Sequence, residues 1–169
     1  MKTKNKTGII CGSFDLMHAG YIRMFKDAKA NACDRLVVAL QTDPTLDRPE
    51  KNKCIQPADH RVEILRSIKY VDDVFLYDTE ESLYNLLRRT DYDVRILGTD
   101  YKDREYTGKD LDPEVYYHLR DHDISTTKIK NQIYSAVKNK KRADKTASIA
   151  DLHMRDYHTS RNLRNEELA

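Results

Sequence analysis

One stretch near the start of the chain, residues 7–21, most constrains the fold. Residues 9–11 (IIC) form a short apolar run that is typical of a buried strand, and Gly12 follows it as a turn residue. Residues 18–32 then place apolar side chains three and four positions apart, which predicts a helix with one buried face. In α/β proteins such a first turn binds nucleotide phosphates, because backbone N–H groups converge at a positively polarised helix end. His18 is the side chain at this turn best suited to chemistry.

Strands and helices alternate along the rest of the chain. The predicted strands are residues 7–12, 35–40, 73–77, 94–98 and 114–119, and the predicted helices are 18–32, 57–70, 80–90 and one starting at 125. This alternation is typical of an α/β, Rossmann-like, mostly parallel five-stranded sheet with helices on both faces. Because such sheets bind ligands beyond the carboxyl ends of their strands, we expect the turns after strands one, four and five to form one site.

Composition excludes several classes of protein. The 169 residues include 30 basic and 28 acidic side chains, and this balance argues against a dedicated nucleic-acid binder. No apolar run approaches the roughly 20 residues that a membrane span requires. Three cysteines without CxxC spacing indicate reduced thiols rather than a disulfide framework or a zinc site. We therefore expect a cytoplasmic protein that does not bind nucleic acid and has no membrane span.

Several polar residues suit the cleavage of a nucleoside triphosphate between its α and β phosphates. This reaction needs positive charge and hydrogen-bond donors where negative charge develops. The candidates are His18, Arg120, and Lys51 and Lys53 on a loop that can close over phosphates. Hydroxyls and N–H groups at the helix start near Ser125 can hold the β and γ phosphates. The chain contains no Walker-type glycine loop, so it is not a P-loop enzyme.

Two separated segments resemble the signatures of the cytidylyltransferase-type nucleotidyltransferases. Residues 12–21, GSFDLMHAGY, are similar to GTFDxxHxGH, and residues 124–130, ISTTKIK, are similar to ISTTxIK. The pattern covers roughly residues 7–135 and most resembles the glycerol-3-phosphate cytidylyltransferases. The resemblance implies that CMP moves from CTP to a small phosphorylated acceptor similar to glycerol 3-phosphate, with release of pyrophosphate. It also implies Mg²⁺ carried on the triphosphate, without a protein metal site, and a homodimer.

The resemblance further implies roles for individual residues. The nucleotide would contact Gly12, Ser13, Phe14, Gly20, Tyr21, Thr99, Asp100, Tyr101, Ser125, Thr126 and Thr127. The catalytic residues would be His18, Lys51, Lys53 and Arg120, with Arg48 competing for the position of the two lysines. Arg61 and Lys69 would bind the acceptor.

Tyr21 departs from the first signature, which has a second histidine at this position. A tyrosine, with an ordinary pKa near ~10, donates a neutral hydrogen bond but does not become cationic near neutral pH as an imidazole can. Losing a charged donor at a transition state costs on the order of 10²–10³ in rate. Three hypotheses stay open: a CTP-dependent cytidylyltransferase, an ATP-dependent adenylyltransferase of the same fold, and a nucleotide-binding protein with weakened catalysis.

The composition changes near residue 138. Residues 138–142 (KNKKR) form a basic run, and few large aliphatic residues follow it. We therefore predict a nucleotidyltransferase domain over residues 1–137 and a polar C-terminal extension over residues 138–169. The extension is either a solvated tail or a helix that packs on a partner subunit.

Overall fold

The structure, a computed structural model, describes residues 5–142 and 144–146. Its elements in chain order are β1 (Thr7–Gly12), α1 (Ala19–Asn31), β2 (Arg35–Gln41), α2 (Ala58–Arg66), β3 (Asp73–Tyr77), α3 (Glu80–Arg89), β4 (Val94–Gly98), a 3₁₀ turn (Thr99–Tyr101) and β5 (Val115–His118). A last helix, α4, begins at residue 126 and is described through residue 142 and over 144–146. No helix within these ranges is long and apolar enough to cross a membrane.

The five strands form one sheet in the order β3-β2-β1-β4-β5, and each neighbouring pair is parallel. The predicted Rossmann-like five-stranded sheet is therefore confirmed. The chain runs outward from β1 through β2 to β3, and it then returns to add β4 on the other side of β1. This reversal places the turns after β1 and β4 side by side at the carboxyl ends of the strands, where sheets of this class bind ligands.

Both faces of the sheet are covered by helices. On one face Ile10 of β1 packs with Phe25 of α1 and Leu65 of α2, and on the other Ile9 packs with Leu83 of α3. Consecutive strand residues point to opposite faces, so the continuous apolar runs of β1 and β2 serve both cores. Each fully buried large side chain contributes about 1.5–3 kcal/mol relative to its exposed state.

The second helix is shorter than the sequence predicts. The pattern predicts a helix over residues 57–70, but α2 ends at Arg66 and Pro57 precedes its first helical residue. At Ser67 the main-chain N–H and the hydroxyl both donate to the carbonyl of Glu63, and the chain leaves the helix through a turn. A serine that bonds to nearby backbone competes with the regular helical pattern. The apolar residues beyond Arg66 therefore pack on the core without being helical.

The predicted domain boundary between residues 137 and 138 stays a prediction. Contacts divide the chain into one compact unit that ends at Thr126 and a second that begins at Thr127. Helix α4 is continuous from residue 126 to residue 142. Most of the predicted extension, residues 147–169, lies outside the described residues.

Candidate active site

Most of the predicted site residues follow strand ends on one edge of the sheet. Gly12 ends β1, the 3₁₀ turn follows β4, and Arg120 comes two residues after β5. The sequence predicted this convergence from the alternation of strands and helices, since parallel strands all end at one edge.

The turn between β1 and α1 has a strained backbone. Phe14 and Leu16 have φ values of 46° and 52°, in the left-handed region, which costs a residue other than glycine roughly 1–2 kcal/mol. The Phe14 ring is buried and packs against Tyr21, with ring centroids 5.1 Å apart, and this packing stabilises Phe14 in the left-handed conformation. The N–H of Leu16 donates to Oε1 of Gln56 at 3.1 Å. Strain of this kind persists where the surroundings enforce it. Here the strained turn leads directly into His18, the residue before α1.

Asp15 anchors the loop that precedes α2. Its carboxylate is buried and accepts hydrogen bonds from the main-chain N–H groups of Ile55 and Gln56, at 3.0 Å each. These two residues lie near the end of the loop 42–57, which contains Lys51 and Lys53. Asp15 thus fixes one end of the lysine-bearing loop against the first turn.

Replacing Asp15 by asparagine is expected to lower the free energy of unfolding by about 1–3 kcal/mol, measured by urea denaturation. The amide keeps one acceptor oxygen but turns an NH₂ group toward one of the two N–H donors. Asp103→Asn, on an exposed loop residue, is the matched control and should change the free energy by less than about 0.5 kcal/mol. Equal losses in the two variants would contradict the anchoring role.

Arg61 lies inside the fold and bonds to main-chain carbonyls. The side chain is 2% exposed. Its guanidinium donates to the carbonyl oxygens of Ser13 and Gln41, both at 2.7 Å, of Thr42 at 2.5 Å and of Gln56 at 3.0 Å. These bonds tie the ends of β1 and β2 to the entry of α2. The geometry gives Arg61 a structural role. Binding of the acceptor by Arg61 stays a prediction.

Tyr21 connects the two signature segments. Its ring stacks on His18, with centroids 4.1 Å apart, and its hydroxyl lies 3.3 Å from Oγ1 of Thr126. The Thr126 hydroxyl donates to the carbonyl of Asp15 at 2.9 Å, so the phenol is the donor in its pair with Thr126. Burial raises the pKa of Tyr21 and keeps the phenol neutral. Residues distant in sequence therefore meet at the predicted edge.

His122 lies against the same helix start, although the sequence pattern did not single it out. A Cβ on Gly20 would lie 2.6 Å from Cε1 of His122 and 3.0 Å from Nδ1 of His18, so the glycine leaves room for both imidazoles. Burial lowers the pKa of His18, and the nearby His122 and Arg120 lower it further by repulsion. The His18 ring is thus neutral at physiological pH. His122 stands two residues before the second signature, and this was the signal that the sequence offered for it. Spacing alone does not show where the His122 side chain points.

Arg120 and Asp100 bring the turns after β5 and β4 together. Nη1 of Arg120 lies 3.6 Å from Oδ2 of Asp100, and both side chains are half exposed. An exposed pair of this kind contributes about 0–1 kcal/mol, so an incoming phosphate can replace the carboxylate. Thr99 and Tyr101 share the 3₁₀ turn with Asp100. This juxtaposition agrees with the predicted placement, and nucleotide contact by these residues stays a prediction.

The basic residues of the loop between β2 and α2 have different environments. Arg48 donates to Oε1 of Glu80 at 2.8 Å, which ties it to α3. Lys51 and Lys53 are exposed, and Nζ of Lys53 lies 3.6 Å from a carboxylate oxygen of Asp43. The structure therefore favours the two lysines over Arg48 as the side chains free to move. Their closure over phosphates stays a prediction.

Lys69 is not brought to this edge. It lies between α2 and the amino end of β3, where its ammonium sits 5.0 Å from the ring centroid of Tyr70. The amino and carboxyl ends of parallel strands lie at opposite edges of a sheet. Within one chain the structure thus separates Lys69 from the other candidates, and acceptor binding by Lys69 stays a prediction.

Comparison with known proteins agrees with this geometry. The family model described as cytidylyltransferase-like matches residues 9–132, which include both signature segments and His122. The chain belongs to the cytidylyltransferase-like family. The family model thus spans the residues that the fold brings together after β1, β4 and β5.

Members of the family with different names are similar to this chain. Glycerol-3-phosphate cytidylyltransferase of Bacillus subtilis (strain 168) is 37% identical over 128 residues, 76% of this chain and 97% of the relative. Bifunctional protein HldE of Caulobacter sp. (strain K31) is 38% identical over 107 residues, 63% of this chain and 22% of the relative. FAD synthase of Thermococcus kodakarensis is 36% identical over 99 residues, 59% of this chain and 66% of the relative. The chain thus spans less than two thirds of the last two proteins.

A solved structure supports the fold of this family member. The lipopolysaccharide core biosynthesis protein from Thermoplasma volcanium superposes with a TM-score of 0.56 over 69% of this chain and 99% of that one. The sequences are 23% identical, so the likeness shows the fold alone.

Proposed function

We propose that this chain transfers CMP from CTP to a small phosphorylated alcohol of the glycerol 3-phosphate type and releases pyrophosphate. One observation carries the proposal: Thr126 of the second signature contacts Asp15 and Tyr21 of the first at the carboxyl edge of the sheet. The similarity to glycerol-3-phosphate cytidylyltransferase over 97% of that protein supports the same substrate class.

The reaction is an in-line displacement at the α phosphorus of CTP. An oxygen of the acceptor phosphate forms the new P–O bond, and the bond to the oxygen that bridges the α and β phosphorus atoms breaks. Pyrophosphate leaves with the electron pair. A neutral His18 ring offers one N–H donor, and Arg120 offers a planar set of charged donors, to the oxygens on which charge accumulates. Lys51 and Lys53, on the loop between β2 and α2, would add further positive charge beside the phosphates.

We propose that magnesium enters this site on the triphosphate and is held mainly by the nucleotide. Mg²⁺ keeps several waters and binds through phosphates with one or two carboxylates, so it does not require a protein cage. Within the described ranges there is no group of three or more His, Cys, Asp or Glu side chains that could hold a metal ion. When bound on the triphosphate, the ion would neutralise charge on the leaving phosphates.

The proposed function is tested by pyrophosphate release from a panel of nucleoside triphosphates and phosphorylated alcohols. We expect CTP with glycerol 3-phosphate to exceed every other pair by at least about tenfold in kcat/KM, as differential transition-state binding requires. Titration calorimetry of CTP against ATP separately measures the preference for the base. Absence of turnover with all pairs would overturn the proposal.

A second candidate is AMP transfer from ATP on the same fold. The observation that favours it is the similarity to an FAD synthase, since the product in that name contains an adenine nucleotide. The panel distinguishes the two, because the second candidate predicts that ATP exceeds CTP by a comparable margin. The homodimer implied by the family resemblance stays a prediction and is checked by sedimentation equilibrium.

A further inference from the structure

The first signature of this chain has no imidazole at its end. Tyr21 replaces the second histidine of the pattern GTFDxxHxGH, and its hydroxyl donates to Thr126 in the structure. The phenol therefore serves to join two protein segments. If the chemistry requires a second imidazole beside His18, another element must provide it.

His122 provides an imidazole at this place from a different part of the chain. Its Nδ1 accepts a hydrogen bond from the main-chain N–H of Ile124 at 3.3 Å, which leaves Nε2 to carry the N–H of the ring. Nε2 lies within 3.0 Å of the position that a Cβ of Gly20 would occupy, and Nδ1 of His18 lies equally close to it. The two rings thus meet over the glycine that separates His18 from Tyr21.

Both of these nitrogens are buried without a hydrogen-bond partner among the described residues. Buried polar atoms in proteins are almost always paired, so two orphaned nitrogens side by side indicate a ligand that supplies the partner. Arg120, two residues before His122, lies near enough to lower the pKa of His18. A ligand that satisfies an N–H donor beside a guanidinium carries anionic oxygens, as a phosphate does.

We propose that His122 replaces the missing histidine of the first signature and donates its Nε2–H to a phosphate of the nucleotide bound beside His18. The inference rests on the proposed function for the identity of the nucleotide. It explains how the site can work with tyrosine at position 21: the imidazole has moved from α1 to the loop between β5 and α4.

The test is a double-mutant cycle between His122 and Tyr21, with rates measured as pyrophosphate release and CTP affinity measured by calorimetry. We expect His122→Ala to lower kcat on the order of 10²–10³, the usual effect of losing one such donor. We expect Tyr21→His to raise the rate of the His122→Ala variant at least about tenfold, and to raise the rate of the unsubstituted protein much less. The matched control is His60→Ala on the exposed part of α2, which should leave both measurements unchanged.

The conservative variant His122→Gln distinguishes a donor from a space-filling ring. The glutamine NH₂ group can reach the position of Nε2, so this variant should retain a rate within about tenfold of the original. If His122→Ala turns over as fast as the unsubstituted protein, the role of His122 is wrong and the proposed function stands. If Tyr21→His fails to raise the rate of His122→Ala, the equivalence of the two positions is wrong.

If no pair of substrates turns over, the proposed function is wrong and the calorimetric measurement decides on His122. A CTP affinity lowered at least about fivefold by His122→Ala and unchanged by His60→Ala supports a phosphate contact, since one charge-assisted bond is worth this much or more. Equal affinities in both variants, or no binding of CTP, overturn it.

Discussion

Replacing Arg61 by leucine is expected to lower the free energy of unfolding by about 3–5 kcal/mol. The guanidinium donates to four main-chain carbonyls from a site that is 2% exposed. Leucine has a similar apolar stem but no donor, so the carbonyls would stay buried and unpaired. Because these carbonyls lie at the ends of β1 and β2 and at the entry of α2, we also expect the site to lose its shape and most of its activity.

Urea denaturation measures the stability of the Arg61 variant, with Arg66→Leu as the matched control. Arg66 lies on the same helix but is exposed, so its replacement should change the free energy by less than about 1 kcal/mol. Arg61→Lys should fall between the two, since one ammonium cannot reach four carbonyls. A stable Arg61→Leu variant that loses affinity only for the acceptor would instead support the substrate role that the sequence predicts.

Replacing His18 by alanine is expected to lower kcat on the order of 10²–10³ and to change stability by less than about 1.5 kcal/mol. His18 is the residue before α1, and its side chain makes no capping hydrogen bond, so the helix does not depend on it. Its ring stacks on Tyr21 and lies beside the orphaned Nε2 of His122. Steady-state rates with CTP and urea denaturation of the same preparation separate the two effects.

The pH dependence of stability provides a second measurement on His18. Burial, with repulsion from His122 and Arg120, lowers its pKa below the usual 6.5. Between the lowered value and 6.5 the unfolded chain binds more protons than the folded one, so stability falls as the pH drops through this window. His18→Ala should therefore lose less stability than the unsubstituted protein between about pH 7 and pH 5. An identical decline in both proteins would show that the His18 ring is not held in its neutral form.

The sequence pattern predicted the sheet, whereas the surroundings of a single charged residue such as Arg61 depend on how the elements pack. The runs around Ile9, Val37 and Ile96 predicted strands, because buried parallel strands need apolar side chains on both faces. The family resemblance implied that the acceptor binds Arg61, a side chain that must be paired when it is buried. Four carbonyls converge on it only once β1, β2 and α2 have packed.

Some features of this chain thus follow from its local sequence, and others follow only from its tertiary packing. The order of strands and helices, the edge where the candidate residues lie and the family follow from local periodicity and two signatures. These depend on residues close together in sequence. The direction of a side chain on an irregular loop depends on what the rest of the fold leaves open. Because Gly20 has no side chain, it leaves space beside His18. The ring of His122, about a hundred positions later in the sequence, occupies this space. Only the tertiary structure, by packing α1 against the loop after β5, decides that Tyr21 joins two segments and that His122 lies close to His18.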